Sequence, residues 1–287
     1  MCAIALDLSE IQPAGEQVRL NSILSGLSAT SALLIALSSP ALAAFCSDSG
    51  GRYEEWKPVI ANEARAAGVG ERGIQALMGS SYSKATISAD RNQKSFKYSL
   101  EKFMQVRGAD TIVKQARSRK AKNADFYASI ERQYGVPVGV LLAIHGMETA
   151  FGNYMGDTNV VSAIATLSYD CRRSDFFTPH MIAALILVDR GSISPQSIGA
   201  KHGELGHTQF LPGNALRYGV DGNGDGRIDL NNVTDALAST ANFLRQKGWQ
   251  PGQGYQEGQP NFAVIREWNA ATVYQQAIAI MGGRIDG

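Results

Sequence analysis

The stretch Val136-Pro-Val-Gly-Val-Leu-Leu-Ala-Ile-His-Gly-Met-Glu-Thr-Ala-Phe-Gly152 decides the reading of this chain. Gly135 closes one helical pattern, and Pro137 suits the first position of the next, because proline there forfeits only an amide that had no partner. From Val138 to Met147 the side chains are apolar almost all round, which is the mark of a helix buried on every side. Glu148 falls in its last turn, just before the chain breaks at Gly152 and Gly156. A lone carboxylate at the edge of a buried segment is costly to desolvate, and the negative end of the helix dipole adds to that cost. A carboxylate kept in so costly a place is a candidate general acid. A carboxylate that caps backbone at the edge of a core is the competing reading of these residues.

Working outward, apolar residues at helical spacing predict helices over 53–67, 72–78, 93–107, 124–134, 137–148, 160–167, 176–190, 234–247 and 272–281. Strand signals are sparse, with one short candidate at 264–268. The fold class is therefore mostly α. With 44% hydrophobic and 18% charged residues the composition is that of an ordinary globular protein, and 287 residues suffice for one large domain or two small ones.

Residues 23–45 form an apolar run closed by Ala41-Leu-Ala43, which reads as a signal-peptide core with a small-x-small cleavage site, so residues 1–44 are expected to be a leader. The segment before it is acidic, carrying Asp7, Glu10 and Glu16 against Arg19, and a true start near Val18 would explain that. Export to the periplasm is the expectation. Several serines and a proline argue against a retained membrane span, and Ala44-Phe45 before Cys46 argues against a lipid anchor. In an oxidising compartment the two remaining cysteines, Cys46 and Cys171, are candidates for one disulfide, with two buried free thiols as the alternative. Removing the leader takes one basic and three acidic residues from totals of 27 and 26, leaving 26 and 23. A net charge of +3 with no basic stripe interleaved by aromatics does not point to nucleic acid.

Two further segments carry chemistry. In Gly203-Glu-Leu-Gly-His-Thr-Gln-Phe-Leu-Pro-Gly213 glycines crowd Gln209 and Phe210, which suits backbone passing close to a ligand with an amide donor and an aromatic wall, although a structural turn reads equally well. In Asp221-Gly-Asn-Gly-Asp-Gly-Arg-Ile-Asp229, Asp221, Asn223 and Asp225 take positions 1, 3 and 5 of an EF-hand-like calcium loop. Gly226 takes position 6 and the backbone carbonyl of Arg227 position 7. Position 12 is Asn232 rather than glutamate, and Asp235 is the nearest carboxylate that could close the site. An Asx-rich turn without metal is the alternative. His145, His202 and His207 with Glu204 lack metalloprotease spacing, and no Gly-x-Ser-x-Gly elbow is present.

The ordered set of Met147-Glu-Thr-Ala-Phe-Gly152, Thr166-Leu-Ser-Tyr169, Arg172-Arg173, Gly206-His-Thr-Gln-Phe-Leu-Pro212, 221–230, Arg266-Glu-Trp-Asn269 and Tyr274 resembles the membrane-bound lytic murein transglycosylase B family from about Arg52 to Ile285. The resemblance implies a lysozyme-like catalytic domain over 121–287, with the calcium-like loop at 221–235, preceded by a helical lobe over 45–120. It implies that Glu148 is the single catalytic acid/base of a lytic transglycosylase, cleaving between N-acetylmuramic acid and N-acetylglucosamine and closing a 1,6-anhydro ring. Gln209 and Phe210 would line the cleft, Tyr169, Arg172 and Arg173 would contact glycan or peptide, and Trp268, Asn269 and Tyr274 would close the far side, with Tyr98 a further cleft candidate. No cofactor is expected for the chemistry beyond a structural calcium ion. The implied partners are peptidoglycan glycan strands and wall-assembly proteins, with the chain itself a monomer.

The sequence also departs from that family. Ala200 occupies the place of a usual serine, Trp268 stands where tyrosine is common, and Glu204 adds a second acid near the cleft. A second carboxylate is what a hydrolase uses to activate water, so a lysozyme-like muramidase is the nearest rival. A noncatalytic wall-binding protein is the rival from another class.

Overall fold

A computed structural model describes residues 44–92 and 98–287. The leader expected at the N-terminus lies almost wholly outside the described residues. Among those residues the chain forms thirteen α-helices and one two-stranded sheet. None of the helices is long and apolar enough to cross a membrane.

Helices α1 (Tyr53–Ala66), α2 (Glu71–Met78) and α3 (Lys84–Arg91) come first, followed by α4 (Leu100–Arg107), α5 (Ala109–Lys122) and α6 (Ala124–Tyr134). Next comes α7 (Val138–Thr149), with strand β1 (Thr158–Asn159) leading into α8 (Val160–Tyr169) and α9 (Ser174–Asp189). Strand β2 (Ile198–Gly199), α10 (Pro212–Tyr218), α11 (Val233–Gln246), α12 (Phe262–Trp268) and α13 (Thr272–Asp286) complete the chain. Local chemistry sets many of the boundaries. Ser83, Ser99, Asn159 and Asn232 accept amide protons from the first turns of α3, α4, α8 and α11, relieving donors that a helix start leaves unpaired. At the end of α6, Gly135 adopts φ +69, a left-handed C-cap that costs other residues more.

Two apolar clusters form the core. One gathers α4, α5, α6, α7, α11, α12 and α13, and the other gathers α1, α2, α8 and α9. The expected division at residue 120 does not coincide with this partition. α4 and α5 pack into the first cluster beside α7 and α13, whereas α1 and α2 cover α8 and α9. Two expectations are corrected. The 264–268 segment is helical, because Val264, Ile265 and Trp268 share one buried helix face. Of the helix expected over 93–107, residues 93–97 lie outside the described residues, and α4 begins at Leu100, where Ser99 caps it.

α7 is the axis of the larger cluster. Each of its residues except Glu148 is buried, and Leu141, Leu142 and Ile144 have no exposed surface. Burial of each such side chain contributes about 1.5–3 kcal/mol. Truncating Leu142 to alanine would cost about 2–5 kcal/mol through the lost transfer energy and the cavity left behind.

A candidate active site at the end of a buried helix

Glu148 leaves the core at the C-terminus of α7 and faces a cavity of about 450 Å³. Two donors converge on the same carboxylate oxygen. The Trp268 indole Nε1 donates to Oε1 at 3.1 Å, and the Tyr274 hydroxyl donates to it at 2.5 Å. Trp268 ends α12, and Tyr274 lies in the first turn of α13. Behind the indole, Phe210 and Phe243 stand edge-on with ring centroids 5.2 and 5.4 Å away. The donor is thereby fixed by packing, and Oε2 is the oxygen that neither donor engages.

The backbone after α7 is unusual. Ala150 and Phe151 adopt φ +48 and +62, and Gly152 follows at +88. Left-handed backbone costs a residue with a Cβ roughly 1–2 kcal/mol, so surrounding contacts must hold it. They do so through the 203–210 turn, which closes with paired bonds between Leu205 and Phe210. The Thr149 hydroxyl donates to the His207 carbonyl at 2.6 Å and accepts from the Gly152 amide at 2.9 Å. His145 Nε2 and His207 Nδ1 lie 3.0 Å apart. Burial, reinforced by the neighbouring His207, holds His145 down to about 3, and burial lowers His207 as well. The pair is therefore a neutral clip between α7 and the turn.

That turn presents Gln209 to the cavity at φ +57, with its Nε2 donating to the Gly206 carbonyl at 2.8 Å and the Met155 carbonyl at 3.4 Å. The arm that Gln209 meets at Met155 leads into the small sheet, in which Thr158 pairs with Gly199 and Asn159 with Ile198. Lys201, just past β2, bonds the Asp157 carboxylate and donates to the Thr158 hydroxyl at 3.0 Å. Close packing of the two arms requires a glycine, because a Cβ on Gly156 would lie 1.9 Å from the Gly199 carbonyl oxygen.

The structure brings Glu148, Gln209, Trp268 and Tyr274 together, with Glu204 also at the cavity wall. Other candidates lie elsewhere. Tyr169 has no exposed surface and packs among Phe45, Tyr53, Trp56 and Tyr82, so it is core rather than cleft. Arg172 and Arg173 both bond the buried Asp90 carboxylate, fastening α3 to the turn between α8 and α9. Phe210 supports the indole from behind instead of forming a wall, and Asn269 is buried with its side-chain oxygen capping Ala271. Tyr98 is largely exposed and does not line the cavity. Glu204, 1% exposed, accepts from the His202 amide at 3.1 Å and lies 3.5 Å from the His202 ring, so its carboxylate is committed to the wall. His145 and His207 form a pair separate from His202 and Glu204, which removes the four-residue zinc arrangement. Cys46 and Cys171 are joined by a disulfide.

Sequence reasoning missed Arg107, Asn153, Tyr154, Met155, Asp157 and Lys201, which also line the cavity. The only local signal was the loop between Gly152 and Gly156, with an aromatic, Tyr154, that is 77% exposed.

In the 221–235 loop, Asp221 Oδ1 accepts from the amides of Gly224 and Asp225, and its Oδ2 accepts from Gly226. Asp235 closes the loop, accepting from Gly222 and Asn223 at 3.0 and 3.2 Å and from Asp229 at 2.9 Å. Gly226, at position 6, has φ +85, as the sharp turn of a calcium loop needs. The donor set, all oxygen and rich in carboxylate, fits calcium in its chemistry. The carboxylates face amide protons here, and among the described residues no group of three or more His, Cys, Asp or Glu side chains gathers as a metal cluster.

Comparison with known proteins places this architecture. A family model described as Transglycosylase SLT domain matches residues 52–258. Membrane-bound lytic murein transglycosylase B of Escherichia coli (strain K12) is 36% identical over 121 residues, which is 42% of this chain but only 34% of that protein. The structure of SltB3 from Pseudomonas aeruginosa in complex with NAG-anhNAM-pentapeptide superposes with a TM-score of 0.75 at 26% identity, covering 83% of this chain and 80% of that one. The Escherichia coli lytic transglycosylase SLT35 in complex with calcium shares the fold, with a TM-score of 0.68 at 20% identity over 84% of this chain and 95% of that one.

Proposed function

Because this chain belongs to the transglycosylase SLT domain family, we propose that it is a peptidoglycan lytic transglycosylase acting between N-acetylmuramic acid and N-acetylglucosamine. The observation that supports this reading most is the solitary, doubly anchored carboxylate of Glu148 in the cavity. A hydrolase needs a second carboxylate free to activate water. The other two acids at this cavity are engaged, Glu204 with His202 and Asp157 with Lys201.

In the proposed reaction Glu148 donates a proton to the glycosidic oxygen as the bond from C1 of N-acetylmuramic acid to that oxygen breaks. The 6-hydroxyl of the same sugar then bonds to C1, and its proton returns to Glu148. The carboxyl group is regenerated, no water is consumed, and one acid/base suffices because the substrate supplies the nucleophile. Gln209, which lines the same cavity, would bond sugar hydroxyl or acetamido groups.

Two supporting roles belong to this reading. The 221–235 loop would hold calcium through Asp221, Asn223, Asp225, the Arg227 carbonyl and Asp235, as a brace for the adjacent Leu230, whose carbonyl accepts from the His207 amide. Export would place the enzyme in the periplasm with its substrate, in keeping with the disulfide.

Mass spectrometry of digested peptidoglycan tests the reaction, since the anhydro product is lighter than the hydrolytic one by one water. Anhydro ends are expected from the wild type and none from Glu148→Gln. Reducing ends alone would replace this reading with hydrolysis.

A further inference from the structure

The charges around the cavity do not balance evenly. Glu204 is bonded to His202, and Asp157 is bonded to Lys201, leaving the acid Glu148 and one other ionised side chain, Arg107. Among the described residues Arg107 has neither a hydrogen bond nor an ion pair, and its guanidinium rests over the Phe103 ring at 5.3 Å. It is half-buried at the last position of α4, directly before Gly108, whose φ of +68 turns the chain into α5. The Phe103 ring beneath it is fully buried and stands 6.2 Å from Tyr274, the residue that anchors Glu148. The guanidinium is thus carried on rigid packing continuous with the catalytic acid.

A planar guanidinium held over an aromatic ring, with its donors unspent, is suited to bidentate recognition of a carboxylate. Sugar hydroxyls and acetamido groups offer it only neutral acceptors. In the substrate class proposed above, carboxylates occur on the peptide stem, or on the lactyl group of N-acetylmuramic acid once the stem is gone. We propose that Arg107 is a specificity-determining substrate-binding residue that reads a carboxylate on the lactyl-peptide side of the glycan, so that the cleft selects acidic strands over amidated ones. The inference rests on the glycan-cleaving reading, but its test rests on binding and does not require turnover.

The full chain is titrated calorimetrically with three disaccharide ligands: one bearing a stem with free carboxylates, one bearing the same stem with every carboxylate amidated, and one bearing only the lactyl carboxylate. The wild type is expected to bind the free-carboxylate stem at least tenfold more tightly than its amide. Arg107→Gln is expected to reduce that preference to less than twofold, and Arg107→Lys to restore part of it. A lactyl ligand bound as tightly as the free-carboxylate stem shows that any carboxylate within reach on this side suffices, and tight binding confined to the stem-bearing ligand assigns the contact to the peptide. Thermal melting confirms that the variants fold, as their half-exposed position allows. An undiminished preference in Arg107→Gln overturns the proposal, as does a wild type that binds acid and amide alike. If these ligands bind as expected while the wild type releases no anhydro product from whole peptidoglycan, the reaction assigned to the site fails and the Arg107 contact stands.

Discussion

Replacing Trp268 by phenylalanine removes one donor from Glu148 while keeping most of the aromatic packing that holds α12 in place. The indole is 3% exposed, and its contacts with Phe210 and Phe243 are both edge-on, a geometry that a phenyl ring reproduces in part. The lost interaction is the 3.1 Å bond from Nε1 to Oε1. Hydrogen bonds to charged groups contribute about 1.5–3 kcal/mol. If that energy serves to aim the carboxyl at the glycosidic oxygen, kcat should fall by about 10- to 100-fold, since each 1.36 kcal/mol is one decade in rate. KM should move little, because the indole is buried behind the acid. Tyr274→Phe removes the shorter 2.5 Å bond to the same oxygen and should cost as much or more. With both donors on one atom, the double variant should lose less than the sum of the two, because Glu148 is already unanchored once it can swing. The assay is initial-rate release of anhydro fragments from purified peptidoglycan, with melting curves to verify folding. A folded Trp268→Phe enzyme within twofold of the wild-type kcat would refute the claim that the indole positions the acid.

Three other perturbations separate the roles of neighbouring groups. Glu204→Gln should still yield anhydro ends while lowering stability by about 1–3 kcal/mol through the weakened buried contact with His202; if the wild type releases some reducing ends and this variant none, Glu204 is a water-activating base after all. Burial holds His145 down to about 3 and His180 down to about 4, against an unfolded value near 6.5, so each contributes stability that is complete above pH 6.5 and lost as the pH falls toward those values. The slope should be about 1.4 kcal/mol per pH unit for each histidine, and denaturant titrations of His145→Gln should show it reduced by about one proton between pH 6 and 4; equal slopes in both proteins would exclude His145 as an acid-labile clip. Calcium at about a hundred times its dissociation constant should stabilise the wild type by about 2.7 kcal/mol and raise its melting temperature by roughly 5–10 °C, with no rise in Asp235→Asn, whereas a wild type indifferent to both calcium and chelator would leave the 221–235 loop an Asx-rich turn.

The sequence made α7 legible because its residues are apolar on every side, a pattern with few alternatives. α5 escaped notice because its buried face is only Ala109, Ile112, Val113 and Ala116 in an otherwise basic and polar segment. Val264 and Ile265 suggested a strand because adjacent branched residues carry no period, and only the contact of Trp268 with the core selects the helix. Within the site, Glu148 could be singled out locally, but its anchors lie 120 and 126 residues away and were reached through family resemblance alone. Motif order does not specify which face of a helix meets the ligand. Tyr169 therefore looked like a cleft residue although α1 covers it, and Arg107, at the end of a helix with no motif, could be found only from the cavity it lines.

The position of Glu148 also explains why strain gathers beside it. A helix buried on every side cannot place a carboxylate in water except at its end, and the chain must then turn at once to leave room for a ligand. Ala150 and Phe151 make that turn with positive φ, at a cost of roughly 1–2 kcal/mol each. Neither side has room to relax. A Cβ on Gly146 would lie 2.4 Å from Ile112, and one on Gly152 would lie 2.3 Å from the His207 ring. The helix end is thus pressed between α5 and the Gln209 turn, and the hydrogen bonds of Thr149 close the remaining freedom. Packing of this density fixes the backbone that carries the acid, and Trp268 and Tyr274 fix its oxygen. Preorganisation of that kind would let a single carboxyl group serve in turn as acid and base without moving between the two steps of the proposed reaction.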